Sequence, residues 1–185
     1  LVEKLVKLKH NITIIDNLSN GKISNIKKCI NKVKFIKTDI SKNGKWKKHF
    51  NKIDIVIHLA AIADIVPSIN NPSKYFDVNV KGTLNILENS REYKVKKIIY
   101  AASSSSYGIP KNYPTDELED LNPEYPYALT KKLGEDILLK WGKIYNLNVT
   151  SLSFSKSLFV KPYTPGEVSV PSTVYTQIDI VVCGI

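Results

Sequence analysis

The sequence has no methionine, two cysteines and, in Arg91, a single arginine among 185 residues, and each scarcity excludes something. Cys29 and Cys183 are too few for a disulfide framework and have no metal-ligand spacing, so no metal site is expected and a reducing cytoplasm is the simplest home. The formal net charge of +10 comes almost entirely from scattered lysines. Nucleic-acid recognition leans on arginine forks or on basic runs interleaved with aromatics, so no nucleic-acid partner is expected. No apolar run approaches the roughly 20 residues of a membrane-spanning helix, and no membrane partner is expected. The lack of methionine, with a helical pattern already under way at Leu1, gives the expectation of a fragment of a longer parent.

What is present suits a globular domain: 43% of the residues are hydrophobic, and they recur with clear periods. Leu1, Leu5 and Leu8, with Val2 and Val6, fit an amphipathic helix ending near Lys9. The β-branched run NITIID closes on Asp16 and is followed by the turn-like NLSNG. VKFIKTD repeats that pattern to Asp39, and IDIVIHLAA is apolar throughout, as in a strand buried on both faces. A short amphipathic segment around Trp46 and Phe50 lies between them. Phe76, Val80, Leu84 and Leu87 predict one long helix over 73–93. VKKIIYAAS predicts a strand leading into four serines, Ser103 to Ser106; a helix over 126–145 and the strand NVTSLSF follow. Alternating strands and helices imply right-handed crossovers and a doubly wound parallel α/β sheet, with Asp16, Asp39, Ala60 and Ser103 along its ligand-binding edge.

Tyr127 and Lys131 stand four residues apart on the last helix, so they share a face. A free phenol, with a pKa near 10, is a poor base at neutral pH unless a cation favours the phenolate, and Lys131 is placed to be that cation. A serine hydroxyl at a neighbouring strand end would complete a proton-handling group. Alone, such a pair is commonly only a solvated helix face.

Six ordered motifs change its weight: IIDNLSNG at 14–21, TDI at 38–40, HLAA at 58–61, NVKGTLNILE at 79–88, SSSSYG at 103–108 and YALTK at 127–131. Together they resemble the extended short-chain dehydrogenase/reductase family, in its nucleotide-sugar epimerase and dehydratase branch. The resemblance implies a Rossmann-like NAD-binding domain over 1–153, followed by a divergent tail over 154–185. It implies that Asp16, with Asn17 beside it, binds the adenosine ribose and favours NAD over its phosphorylated form. Asp39 and Ile40 would lie at the adenine, Leu59, Ala60 and Ala61 along the cofactor, and Asn79 would hold that region. Ser103, Tyr127 and Lys131 would be catalytic, with Tyr127 and Lys131 also touching the cofactor; His58 reads as a packed core histidine.

Dehydratases of this branch carry Asp-Glu after the catalytic Ser or Thr, where this chain has Ser104 and Ser105. The resemblance is therefore to UDP-hexose 4-epimerases for surface polysaccharides, acting by transient oxidation to a 4-keto sugar, with a homodimer as the intact parent. Two features depart from it. The first strand and the glycine-rich phosphate loop are missing, as is a recognisable substrate domain, so the expectation is a truncated fold with its central slot vacant and little activity alone. The C-terminal IDIVVCGI reads as one more strand and is a minor alternative to vacancy there. The competing readings are a non-catalytic remnant that serves in dimerisation, and a dehydratase or reductase of the same branch.

Overall fold

The computed structural model describes residues 1–109, 115, 118–154 and 179–184. Its framework is a parallel sheet of six strands: β1 (Asn11–Asp16), β2 (Val33–Lys37), β3 (Ile55–His58), β4 (Lys97–Ser103), β5 (Val149–Phe154) and β6 (Asp179–Cys183). They lie in the order β2-β1-β6-β3-β4-β5. The β-branched runs form strands because their alternate side chains pack on opposite faces of a pleated surface. One core contains Ile15, Val56, Val181 and Cys183; the other contains Ile14, Ile57, Ile180 and Val182. The doubly wound α/β reading therefore holds.

The expectation of a vacant central slot does not hold. β6 fills it, pairing in parallel with β1 on one side and β3 on the other. Ile180, Val181, Val182 and Cys183 are each at most 2% exposed, which no edge strand would permit. A vacancy would strand the facing N–H and C=O groups of β1 and β3 away from water, so an apolar run able to pair with both is strongly favoured there.

One face of the sheet is covered by α1 (Val2–Lys7) and the turns from Ile23 to Lys32. The other carries the longer helices, α4 (Gly82–Glu92) and α5 (Pro126–Tyr145), together with the turn holding Trp46 and Phe50. Proline occupies the first turn of α5, where its missing N–H costs nothing, and Asn146 ends the helix in the left-handed conformation at φ 52°. Close packing of α5 on β4 needs Gly134: a Cβ there would lie 2.5 Å from the Tyr100 hydroxyl.

The single helix predicted over 73–93 is broken. Short helices α2 (Ile65–Asn70) and α3 (Pro72–Tyr75) lead into a wider π-helical turn, Phe76–Lys81, before α4 begins. Apolar spacing cannot reveal such a turn, because one extra residue per turn shifts the register only locally. The turn carries Asn79, 1% exposed, and leaves Phe76 38% exposed.

Candidate active site

Because every strand is parallel, the residues that follow β1, β3, β4 and β6 gather on one edge of the sheet. Two clusters form there. The first is proton-handling. Ser103 ends β4 and caps the next turn, its Oγ accepting from the Ser105 backbone N–H at 3.3 Å. The same Oγ lies 2.7 Å from Ser105 Oγ and accepts from the Tyr127 hydroxyl at 3.4 Å. Among the four serines, Ser103 is thus brought to the phenol. Tyr75 packs edge-on against the Tyr127 ring at 6.4 Å and donates its own hydroxyl to Ala63 O at 2.6 Å, bracing the phenol from outside.

Lys131 lies one turn further along α5 and is 5% exposed. Its Nζ donates to Ala101 O at 2.5 Å and sits 4.2 Å from the centre of the Tyr100 ring. Burial pushes its pKa down to about 8, with the Glu135 carboxylate opposing the change. Glu135 is itself held by Ser151, whose Oγ donates to it at 2.6 Å. His58 is a core residue, 2% exposed, with Nε2 2.9 Å from Thr83 Oγ1. Desolvation, aided by the Lys131 charge, holds its pKa down to about 3, so the ring is neutral.

The second cluster is a cleft lined by Asp16, Asn17, Asp39, Ile40, the run Leu59, Ala60, Ala61, and Gly184. Asp16 Oδ1 accepts from the Leu18 N–H at 2.5 Å, so the residue shapes its turn while standing in the cleft. Asn17 does likewise for Ser19 N–H at 2.9 Å. Asp39 Oδ1 takes both the Ser41 N–H and its hydroxyl, at 2.9 and 2.7 Å. A carboxylate closing β1, an apolar Ile40 and small side chains at Ala60 and Ala61 suit an adenine dinucleotide lying close to the backbone.

Asn79 stands behind the cleft wall. It accepts from Ile62 N–H at 2.8 Å and donates to Ile62 O and to Thr130 Oγ1, both at 3.0 Å. Thr130 donates in turn to Tyr127 O at 2.8 Å. One hydrogen-bonded path therefore joins the cleft wall to the helix turn bearing the phenol. Sequence reasoning missed Thr130, Tyr75 and Gly184. Neither Thr130 nor Tyr75 carries a chemical signature, whereas Gly184 was visible as the glycine closing an apolar run.

A model of the family described as "NAD dependent epimerase/dehydratase family" matches residues 1–159. A UDP-glucose 4-epimerase candidate of Methanocaldococcus jannaschii is 35% identical over 174 residues, 93% of this chain and 56% of its own. The UDP-glucose 4-epimerase of Lactobacillus helveticus is 33% identical over 156 residues, 83% of this chain and 46% of its own. Among solved structures, the UDP-glucose 4-epimerase of Brucella ovis in complex with NAD superposes with a TM-score of 0.76 at 30% identity, over 82% of this chain and 46% of that one. The chain spans about half the length of the relatives it matches. Among the described residues, no helix is long and apolar enough to cross a membrane.

Proposed function

The chain belongs to the NAD dependent epimerase/dehydratase family, and from that membership we propose that it carries the cofactor cleft and the proton-transfer group of a UDP-hexose 4-epimerase. The observation that supports this best is the Tyr127 hydroxyl at 3.4 Å from Ser103 Oγ, on the sheet edge that also holds the Asp16 cleft. Tyr127 takes the proton of the sugar 4-hydroxyl and later returns it. Ser103 shares a hydrogen bond with the phenol and orients the sugar oxygen toward it. Lys131 places a buried cation on the next turn of the same helix. Asp16 holds the adenosine ribose of NAD, Asp39 and Ile40 its adenine end, and Leu59 to Ala61 the backbone wall along it. NAD, when bound, supplies reversible hydride acceptance at the sugar's C4.

Ser104 and Ser105 separate this reading from a dehydratase, since eliminating water needs an acid and a further base beside the reacting carbons and hydroxyls supply neither. The test has two arms. NAD is titrated calorimetrically into the 185-residue chain, with binding expected. UDP-glucose and UDP-N-acetylglucosamine are then incubated with the chain, and with the chain extended by the remaining part of the Lactobacillus helveticus relative, and the products are separated by chromatography. The corresponding 4-epimers are expected from the extended protein. No epimer from either sugar would overturn the assignment, and a 4-keto-6-deoxy product would make the protein a dehydratase.

A further inference from the structure

We infer that seating of the strand β6 in the sheet and binding of an adenine dinucleotide are coupled, because β6 closes the sheet and Gly184, the residue that follows it, lines the cleft. The inference rests on the dinucleotide reading above. Its first support is position. Cys183 pairs with Ile15 of β1 and with His58 of β3, so the next residue along each of the three chains, Asp16, Gly184 and Leu59, meets the others at one edge. Gly184 N–H donates to Ile15 O at 3.0 Å, and Leu59 N–H donates to Cys183 O at 2.8 Å. Those two bonds tie the segment bearing Asp16 and the segment bearing Ala60 to a single strand end.

Without β6 the two walls would have no common support. Adjacent strands lie about 4.8 Å apart, so β1 and β3 would face each other across a slot about 10 Å wide. At the other end of β6, Asp54 clamps the strand: its carboxylate accepts from Asp179 N–H at 2.9 Å, and its own N–H donates to Asp179 O at 2.9 Å.

Gly184 is the second support. Its φ is +91°, a conformation that side chains other than glycine rarely adopt. A Cβ there would lie 2.7 Å from Ala60 Cα and 2.7 Å from Ala60 N. Glycine is needed because the strand end and the cleft wall are in backbone contact, so any shift of one moves the other. A ligand that binds only the seated form must stabilise it, and the seated form must raise the ligand's affinity by the same factor.

Amide hydrogen exchange of the full chain, with and without NAD, tests the coupling. At NAD concentrations about 100 times its Kd, the Ile180 to Cys183 amides are expected to slow by up to about a hundredfold. The amides of Ile98 to Tyr100 in β4 should slow by no more than the same factor, because opening of the whole domain also releases NAD. Gly184→Ala should weaken NAD binding at least tenfold while the β4 amides keep their protection, which shows that the domain is still folded. Binding of NAD that leaves the β6 amides exchanging as before, or a Gly184→Ala chain that binds NAD as tightly as the parent, would overturn the coupling alone. A full chain that does not bind NAD overturns the dinucleotide reading and this inference with it.

Discussion

Replacing Lys131 by methionine should stabilise the protein at neutral pH while removing the buried cation one helical turn from Tyr127. The ammonium is 5% exposed, and burial lowers its pKa from 10.5 to about 8, against a smaller opposing pull from Glu135. Each unit is worth about 1.36 kcal/mol, so holding the charge inside costs on the order of 3 kcal/mol wherever both folded and unfolded chains are protonated. The sign follows from proton counting. Below pH 8 both states carry the proton and the full cost is present; between pH 8 and 10.5 the unfolded chain binds more protons than the folded one, so stability rises with pH. Lysine-to-methionine keeps most of the stem's volume and deletes the charge. Urea unfolding of both proteins at pH 7 and pH 10 is the assay, and taking their difference cancels the other lysines. The variant should be more stable by about 2–3 kcal/mol at pH 7, and the gap should nearly close by pH 10. A gap independent of pH, or a variant less stable at pH 7, would refute the reasoning. It would mean that the bond to Ala101 O and the Tyr100 ring together outweigh the desolvation of the ammonium.

Three further outcomes are expected. Tyr127→Phe should lower epimerisation about 10²- to 10⁴-fold while NAD still binds, as steady-state kinetics and calorimetry would show, because the proton carrier is lost. Asn79→Ala leaves the Ile62 N–H and C=O without their side-chain partner and should cost about 2 kcal/mol or more by chemical denaturation. Gly134→Ala forces a methyl to within 2.5 Å of the Tyr100 hydroxyl and should cost about 1–3 kcal/mol, part of which returns when Tyr100→Phe is added, since the clashing atom is then gone.

The strands and the α5 helix were legible because their signals are local: β-branched runs closing on Asp16, Asp39 and Ser103, and a proline at the start of α5. Spacing also put Tyr127 and Lys131 on one face. It did not reveal that this face looks inward, where Lys131 meets a backbone carbonyl and an aromatic ring rather than solvent. That β6 takes the central slot was only weakly legible, for a different reason. Strand pairing between residues 11–15 and 179–183 is non-local, and an apolar pentapeptide carries no address for its partners. The π-turn at Asn79 was hidden because the apolar residues on either side still satisfy a helical period.

Asn79 explains why that irregular turn is worth its cost. A regular helix through 76–81 would satisfy the backbone more simply, so the wider turn must be offset by what it positions. Its side chain spends its bonds on Ile62, at the end of the cleft wall, and on Thr130, which bonds the carbonyl of Tyr127. The wall beside the cofactor cleft and the phenol therefore share one rigid buried link. A hydride acceptor and a proton carrier must hold fixed positions relative to the same sugar carbon, and a misplacement of about 1 Å between such groups can cost a hundredfold in rate. The link joins two segments, residues 59–62 and the first turn of α5, that no strand pairing connects directly. Asn79→Asp separates this positioning role from bulk stability: it keeps the acceptor for Ile62 N–H but loses the donors to Ile62 O and Thr130. A wild-type kcat from a variant with that half of the link removed would show that the two clusters are aligned by the sheet alone.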